Sequence, residues 1–169
     1  SWSRVLPDGT GTVNQAGLDF YRRLVDALTE HNIQPMVTLF HWDLPAALAR
    51  QGGFENDRIA DWFAVYAGVV GEALGDRVKL WATHNEPWVV ADHGYLAGKH
   101  PPGRTGGETL PAVSRNLLRS HGAAVQALRQ HTGAQIGIVV NLTPQHPASD
   151  RAEDVQAAAR ADPYISRKL

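Results

Sequence analysis

VKLWATHNEP, residues 78–87, is a short apolar run that stops at a cluster of polar residues. The run at 78–83 reads as a buried strand, and Pro87 ends regular structure because proline has no N–H to give to a helix or a ladder. Immediately upstream, residues 57–74 place Ile59, Trp62, Phe63, Tyr66, Val69, Val70, Ala73 and Leu74 at helical spacing, with Gly75 as a stop. Further back, residues 34–40 form a second compact apolar run, closed by HWDLP at 41–45. Residues 17–31 are helical on Leu18, Tyr21, Leu24, Val25 and Leu28, with Asn14 as the cap. The segment 1–5 reads as a strand that ends in a turn rich in proline and glycine (Pro7, Gly9, Gly11). Downstream, a Gly/Pro-rich loop at 94–107 leads to a helix at 113–130, a strand at 136–140 and the start of an Ala-rich helix at 152–161.

Strands near positions 2, 36, 79 and 136 separated by single helices make a βα repeat, and buried strands joined by helical crossovers imply a parallel sheet. Both a doubly wound sheet and a barrel satisfy that pattern. No GxGxxG or GxxxxGK[ST] follows any strand, so the nucleotide-binding open sheets lose their main support. Polar residues gather instead at the strand ends, namely Arg4, His41 with Trp42 and Asp43, Asn85 with Glu86, and Asn141. That is where a (β/α)8 barrel keeps its reactive groups. The expected fold class is therefore α/β, a partial (β/α)8 TIM barrel of about four βα units, because a whole barrel takes about 250 residues.

Composition narrows the function classes. With 16 Lys+Arg against 17 Asp+Glu, the net charge of −1 leaves no basic stripe to neutralise phosphates, so no nucleic-acid partner is expected. The apolar stretches fall far short of the roughly 20 residues that span a bilayer, and no membrane partner is expected either. The absence of cysteine excludes disulfides, thiolate metal sites and cysteine nucleophiles. The eight histidines show no HExxH-type spacing, so neither a metal nor a cofactor is implied.

The chemistry concentrates at Asn85-Glu86-Pro87. A carboxyl at a strand end, beside an amide and among Trp42, Trp81 and Trp88, has the low-dielectric surroundings that suit a proton donor. Glycoside hydrolysis needs such an acid and a second carboxylate about 5–9.5 Å from it. Taken alone, the tripeptide also fits an N-cap or loop carboxylate. Likewise, His41 fits a core histidine, Arg4 a plain ion pair, Trp88 a core aromatic, and Asp43 a turn carboxylate with a structural role.

Five segments in order carry a resemblance: SWSRVLPDGTGTVNQAGLDFY, VTLFHWDLPAAL, GGFENDRIADWFAVYA, GDRVKLWATHNEPWVVADHGYLAGKHPPG and IGIVVNLTPQHPAS. They resemble glycoside hydrolase family 1, the β-glucosidase and β-galactosidase family, over nearly the whole chain. The resemblance implies a (β/α)8 barrel and retaining hydrolysis of β-glycosides, with Glu86 as the general acid/base. It further implies that Asn85 holds the sugar 2-hydroxyl, His41 the 3-hydroxyl beside Trp42, and Trp88 and Asn141 the aglycone side, while Arg4 pairs with the nucleophile. His84 fills the variable position of the family's TxNEP motif. The segment with the nucleophilic glutamate has no counterpart here, and Glu108 and Glu153 do not replace it. Residues 1–169 are thus expected to be the N-terminal part of a single (β/α)8 glycosidase domain, incomplete at both ends. Its partners would be a β-glycoside and the missing C-terminal half of the barrel, and the isolated chain would be inactive. A non-catalytic sugar-binding or structural remnant of such a barrel is the alternative. A cytoplasmic location is expected from the family's bacterial members.

Overall fold

The computed structural model describes residues 1–142 and 144–166. They form two compact units, Ser1–Val139 and Val140–Leu169. The first unit contains, in order, α1 (Trp2–Val5), α2 (Gln15–Glu30), β1 (Met36–Phe40), α3 (Ala46–Arg50), a 3-10 turn (Gly53–Glu55), α4 (Ile59–Leu74), β2 (Leu80–Asn85), α5 (Pro87–Tyr95), α6 (Leu110–Arg129) and β3 (Gln135–Val139). The three strands make one parallel sheet in the order β1-β2-β3, each joined to the next through helices. The second unit holds α7 (Ala152–Ser166). Among the described residues, no helix is long and apolar enough to cross a membrane.

The segment expected to be the first strand is a helical turn instead. Trp2, Val5 and Leu6 are all fully buried while Ser3 and Arg4 are exposed. Offsets of 0, 3 and 4 put those apolar side chains on one helical face, whereas a strand would send Trp2 and Val5 to opposite faces. The Leu6 N–H accordingly donates to the Trp2 carbonyl at 2.8 Å. The premise that placed Arg4 at a strand end falls with this strand. Pro87 is a second correction, for it closes β2 but opens α5 at its first turn, where its missing N–H would lack a partner anyway.

The expected cap of α2 is present, with the Asn14 side chain accepting from the Gly17 N–H at 3.3 Å. Gly17 has a further reason to be glycine. A Cβ there would lie 2.1 Å from the Arg4 carbonyl oxygen, so α1 crosses α2 only because that hydrogen is small.

The core lies between the sheet and the α4–α6 layer. Trp2 stacks on Tyr66 with ring centroids 5.3 Å apart and tilts onto Phe63 at 5.2 Å. Phe40 meets Phe54 and Phe63 edge-on, which fills the space above the end of β1. Burial pushes the Tyr66 phenol far above its ordinary range, and its hydroxyl donates to the Leu39 carbonyl at 3.2 Å. This packing pins the C-terminal end of β1, and so fixes where His41 and Trp42 leave the sheet.

Candidate active site

The C-terminal ends of β1 and β2 lie side by side because Phe40 pairs with His84. The residues that follow, His41-Trp42 and Asn85-Glu86, therefore meet although 44 positions separate His41 from Asn85. The Asn85 amide Nδ2 lies 3.2 Å from His41 Nε2. The Trp42 indole N–H donates to the Asn85 carbonyl at 3.0 Å. One side chain and one main-chain group of Asn85 thus hold both residues of the neighbouring strand end.

Two non-glycine residues in this cluster have left-handed backbones, Trp42 at φ 73° and Glu86 at φ 47°. Such a conformation costs of order 1 kcal/mol or more at each residue and persists only when its surroundings hold it. For Trp42 the holders are the indole bond to Asn85 and the Asp43 carboxylate, which accepts from the His41 N–H at 3.3 Å and from the Trp2 N–H at 3.1 Å. Asp43 is therefore a structural clamp between α1 and the end of β1. For Glu86 the holder is its own N–H, which donates to the Val139 carbonyl of β3 at 2.8 Å.

Glu86 stands at the N-cap of α5, yet its side chain makes no capping hydrogen bond. A carboxylate at a helix N-terminus would ordinarily accept from the first-turn amides. Here the left-handed turn carries it away from that task, and it remains half-buried beside Asn85. A carboxyl placed this way can exchange a proton with a molecule bound over the strand ends.

The other expected site residues are placed unequally. Trp88 is half-buried, its indole N–H is enclosed with no hydrogen-bond partner among the described residues, and its ring meets His93 edge-on at 5.7 Å. Trp81, expected near Glu86, belongs to the core instead. It sits opposite Val37 and Ile136 near the start of β2 and donates to the Val78 carbonyl at 3.2 Å. The Arg4 guanidinium lies over the Phe20 ring at 4.4 Å, on α2. Asn141 belongs to the second unit.

Sequence reasoning assigns no role to His93 and His100. Their rings are 5.1 Å apart, His100 is 5.2 Å from Trp42, and His93 Nδ1 is 3.0 Å from the Asp92 carboxylate. Trp42 and Trp88 are linked through this pair. No periodicity announces the link, because His100 lies in the Gly/Pro-rich loop. Beneath it is a cavity of about 420 Å³ walled by Phe40, Trp42, Phe54 and Tyr95, with the Glu55–Arg104 ion pair (3.1 Å) on its lining. Among the described residues, no group of three or more histidine or acidic side chains is placed to hold a metal.

Below the strand ends, His84 is fully buried and stacks on Phe63 at 4.6 Å. Burial pushes its imidazole down to about 3, with His121 adding to the effect, so the ring stays neutral at any ordinary pH.

Known proteins resemble this chain at high identity. The 1,4-beta-D-glucan glucohydrolase of Thermotoga neapolitana is 52% identical over 159 residues, 94% of this chain and 37% of that protein. The structure of a family 1 b-glucosidase from Thermotoga maritima superposes with a TM-score of 0.90 at 51% identity, covering 98% of this chain and 37% of that one. A Thermotoga maritima beta-glucosidase in complex with deoxynojirimycin superposes with a TM-score of 0.92 at 49% identity, covering 98% and 38%. The chain spans little more than a third of the length of these relatives. The three-stranded parallel sheet and its helices correspond to part of their fold. A family model, glycosyl hydrolase family 1, matches residues 1–168, and the chain belongs to that family.

Proposed function

We propose that this chain carries the acid/base portion of a retaining β-glycosidase that releases β-linked glucose or a related sugar from aryl or alkyl glycosides or short oligosaccharides. The observation that carries the reading is the placement of Glu86, whose left-handed turn at the end of β2 leaves its carboxylate free of capping and beside the Asn85–His41 pair. In a retaining mechanism this carboxyl protonates the departing oxygen, then takes a proton from water as the glycosyl-enzyme is hydrolysed. The second carboxylate, the nucleophile, comes from the part of the relatives' length that this chain does not span. Residues 1–169 are then one portion of a single barrel domain, inactive without the remainder.

Asn85 offers its amide N–H to the sugar 2-hydroxyl, and His41 offers its ring to the 3-hydroxyl. Trp42 bounds the glycone, while Trp88 lies on the aglycone side. Arg4 pairs with the nucleophile's carboxylate, its guanidinium edge remaining available for that bond while its face lies over Phe20.

Asn85 supplies the test. A hydrogen bond to the 2-hydroxyl strengthens as the oxocarbenium-like transition state forms, so Asn85→Ala in the full-length enzyme lowers kcat/KM on a β-glucoside by about 100-fold. The same variant lowers kcat/KM on the matching 2-deoxyglucoside by about 10-fold less, because that substrate lacks the hydroxyl and feels only the released His41. Equal losses on the two substrates refute the assignment.

A further inference from the structure

Between Ala82 and Asn85, β2 advances three residues while β3 advances two, because Ala82 pairs with Gly137 and Asn85 with Val139. The extra residue is a bulge, which bends a strand and re-aims the side chains beyond it. In a regular strand, Thr83 and His84 would face opposite sides of the sheet. Here both reach α6, at consecutive residues. Thr83 Oγ1 is 2.7 Å from His121 Nδ1, and His84 Nε2 is 2.9 Å from Ser120 Oγ.

The direction of the second bond follows from its neighbours. Ser120 Oγ spends its only proton on the Leu117 carbonyl at 2.8 Å, so it can only accept from His84. The His84 ring is therefore neutral and carries its proton on Nε2, with Nδ1 buried and unpartnered. Three aromatic rings enclose it: Phe63 stacked at 4.6 Å, and Phe40 and Phe54 edge-on at 5.6 and 6.2 Å. Loss of Ser120 takes the acceptor from the Nε2 proton at a place where His84 and Ser120 are both 0% exposed. The ring would have to turn, or the strand move, to find another acceptor. Either motion acts on the peptide that leads directly into Asn85 and Glu86.

We propose that His84 is a positioning residue: its bond to Ser120, beside the Thr83–His121 bond, holds the bulge that aims Asn85 and Glu86 over the strand ends. The proposal rests on the acid/base reading of Glu86. Ser120 and His84 act as a unit, so breaking one partner is worse than replacing both with apolar groups of fitting size.

The test uses the full-length enzyme and compares kcat/KM on an alkyl β-glucoside, whose leaving oxygen must be protonated, with that on 2,4-dinitrophenyl β-glucoside, whose leaving group needs no proton. Active sites are counted from the dinitrophenolate burst. Ser120→Ala is expected to lower the alkyl value about 10-fold more than the dinitrophenyl value, whose own loss reports the mis-aimed Asn85, and the double variant H84L/S120A returns the ratio to that of the parent. Ser120→Cys leaves no cavity and weakens the acceptor, and gives the same shift at about 3-fold should Ser120→Ala fail to accumulate. An unchanged ratio in the folded single variants overturns the proposal, as does a double variant as impaired as the single. Glu86→Gln separates the two claims. If it shifts the ratio and Ser120→Ala does not, only the positioning role falls; if it does not shift the ratio, the acid reading falls with it.

Discussion

Replacing Glu86 by Ala in the full-length enzyme should lower kcat/KM on alkyl β-glucosides by about 10³-fold, within the 10²–10⁴-fold that a positioned general acid contributes. The same replacement should leave the first step on dinitrophenyl glucosides nearly intact, because dinitrophenolate departs without protonation. On that substrate the glycosyl-enzyme then accumulates, since no base remains to activate water. Two other carboxylates in this part of the fold have partners of their own, Asp43 the main chain of Trp2 and His41, and Glu55 the Arg104 guanidinium. Similar losses on good and poor leaving groups would show that Glu86 does not act as the acid.

The largest effect on stability belongs to Trp2. Trp2→Ala removes a fully buried indole that stacks on Tyr66, tilts onto Phe63 and donates to the Gly9 carbonyl at 2.9 Å. Large-to-small changes of this kind cost about 3–5 kcal/mol, and the surrounding rings have little freedom to collapse into the space. The cost extends towards the site, because the Trp2 N–H shares the Asp43 carboxylate with His41. The measurement is the denaturant midpoint of the variant against the parent at unchanged slope, and a loss below about 1 kcal/mol would contradict the placement of Trp2 at the centre of the core.

These two positions also show how unevenly the molecule could be read from its sequence. The long helices were legible because their apolar residues recur on one face over four or more turns, as in α4. The four-residue α1 gave too few residues for a period to declare itself, and its tryptophan and valine suggested a strand. The offsets of Trp2, Val5 and Leu6 did hold the helical signal. The short elements α3 and the 3-10 turn went unforeseen because tertiary packing of Leu48 and Phe54, not local pattern, sustains them.

At the site, the residue types and their strand-end positions were legible, but their pairing was not. The meeting of His41 with Asn85 depends on Phe40 being opposite His84, and no local pattern encodes a register between strands so far apart in the chain. Strand alternation would send Thr83 and His84 to opposite faces of the sheet. It could not show that Thr83 turns the same way as His84, because a bulge breaks the two-residue period on which alternation rests. The left-handed backbone of Glu86 was equally silent, since glutamate has no preference for that region.

The central claim, that Glu86 is the acid/base of a retaining glycosidase, is tested most directly by the product that Glu86→Ala forms from dinitrophenyl β-glucoside in sodium azide, read by proton NMR. With the carboxylate gone, a small anion can reach the anomeric carbon of the glycosyl-enzyme without needing a base. The account predicts restored turnover and β-glucosyl azide as the product. No rescue, or an azide of the α configuration, would contradict it.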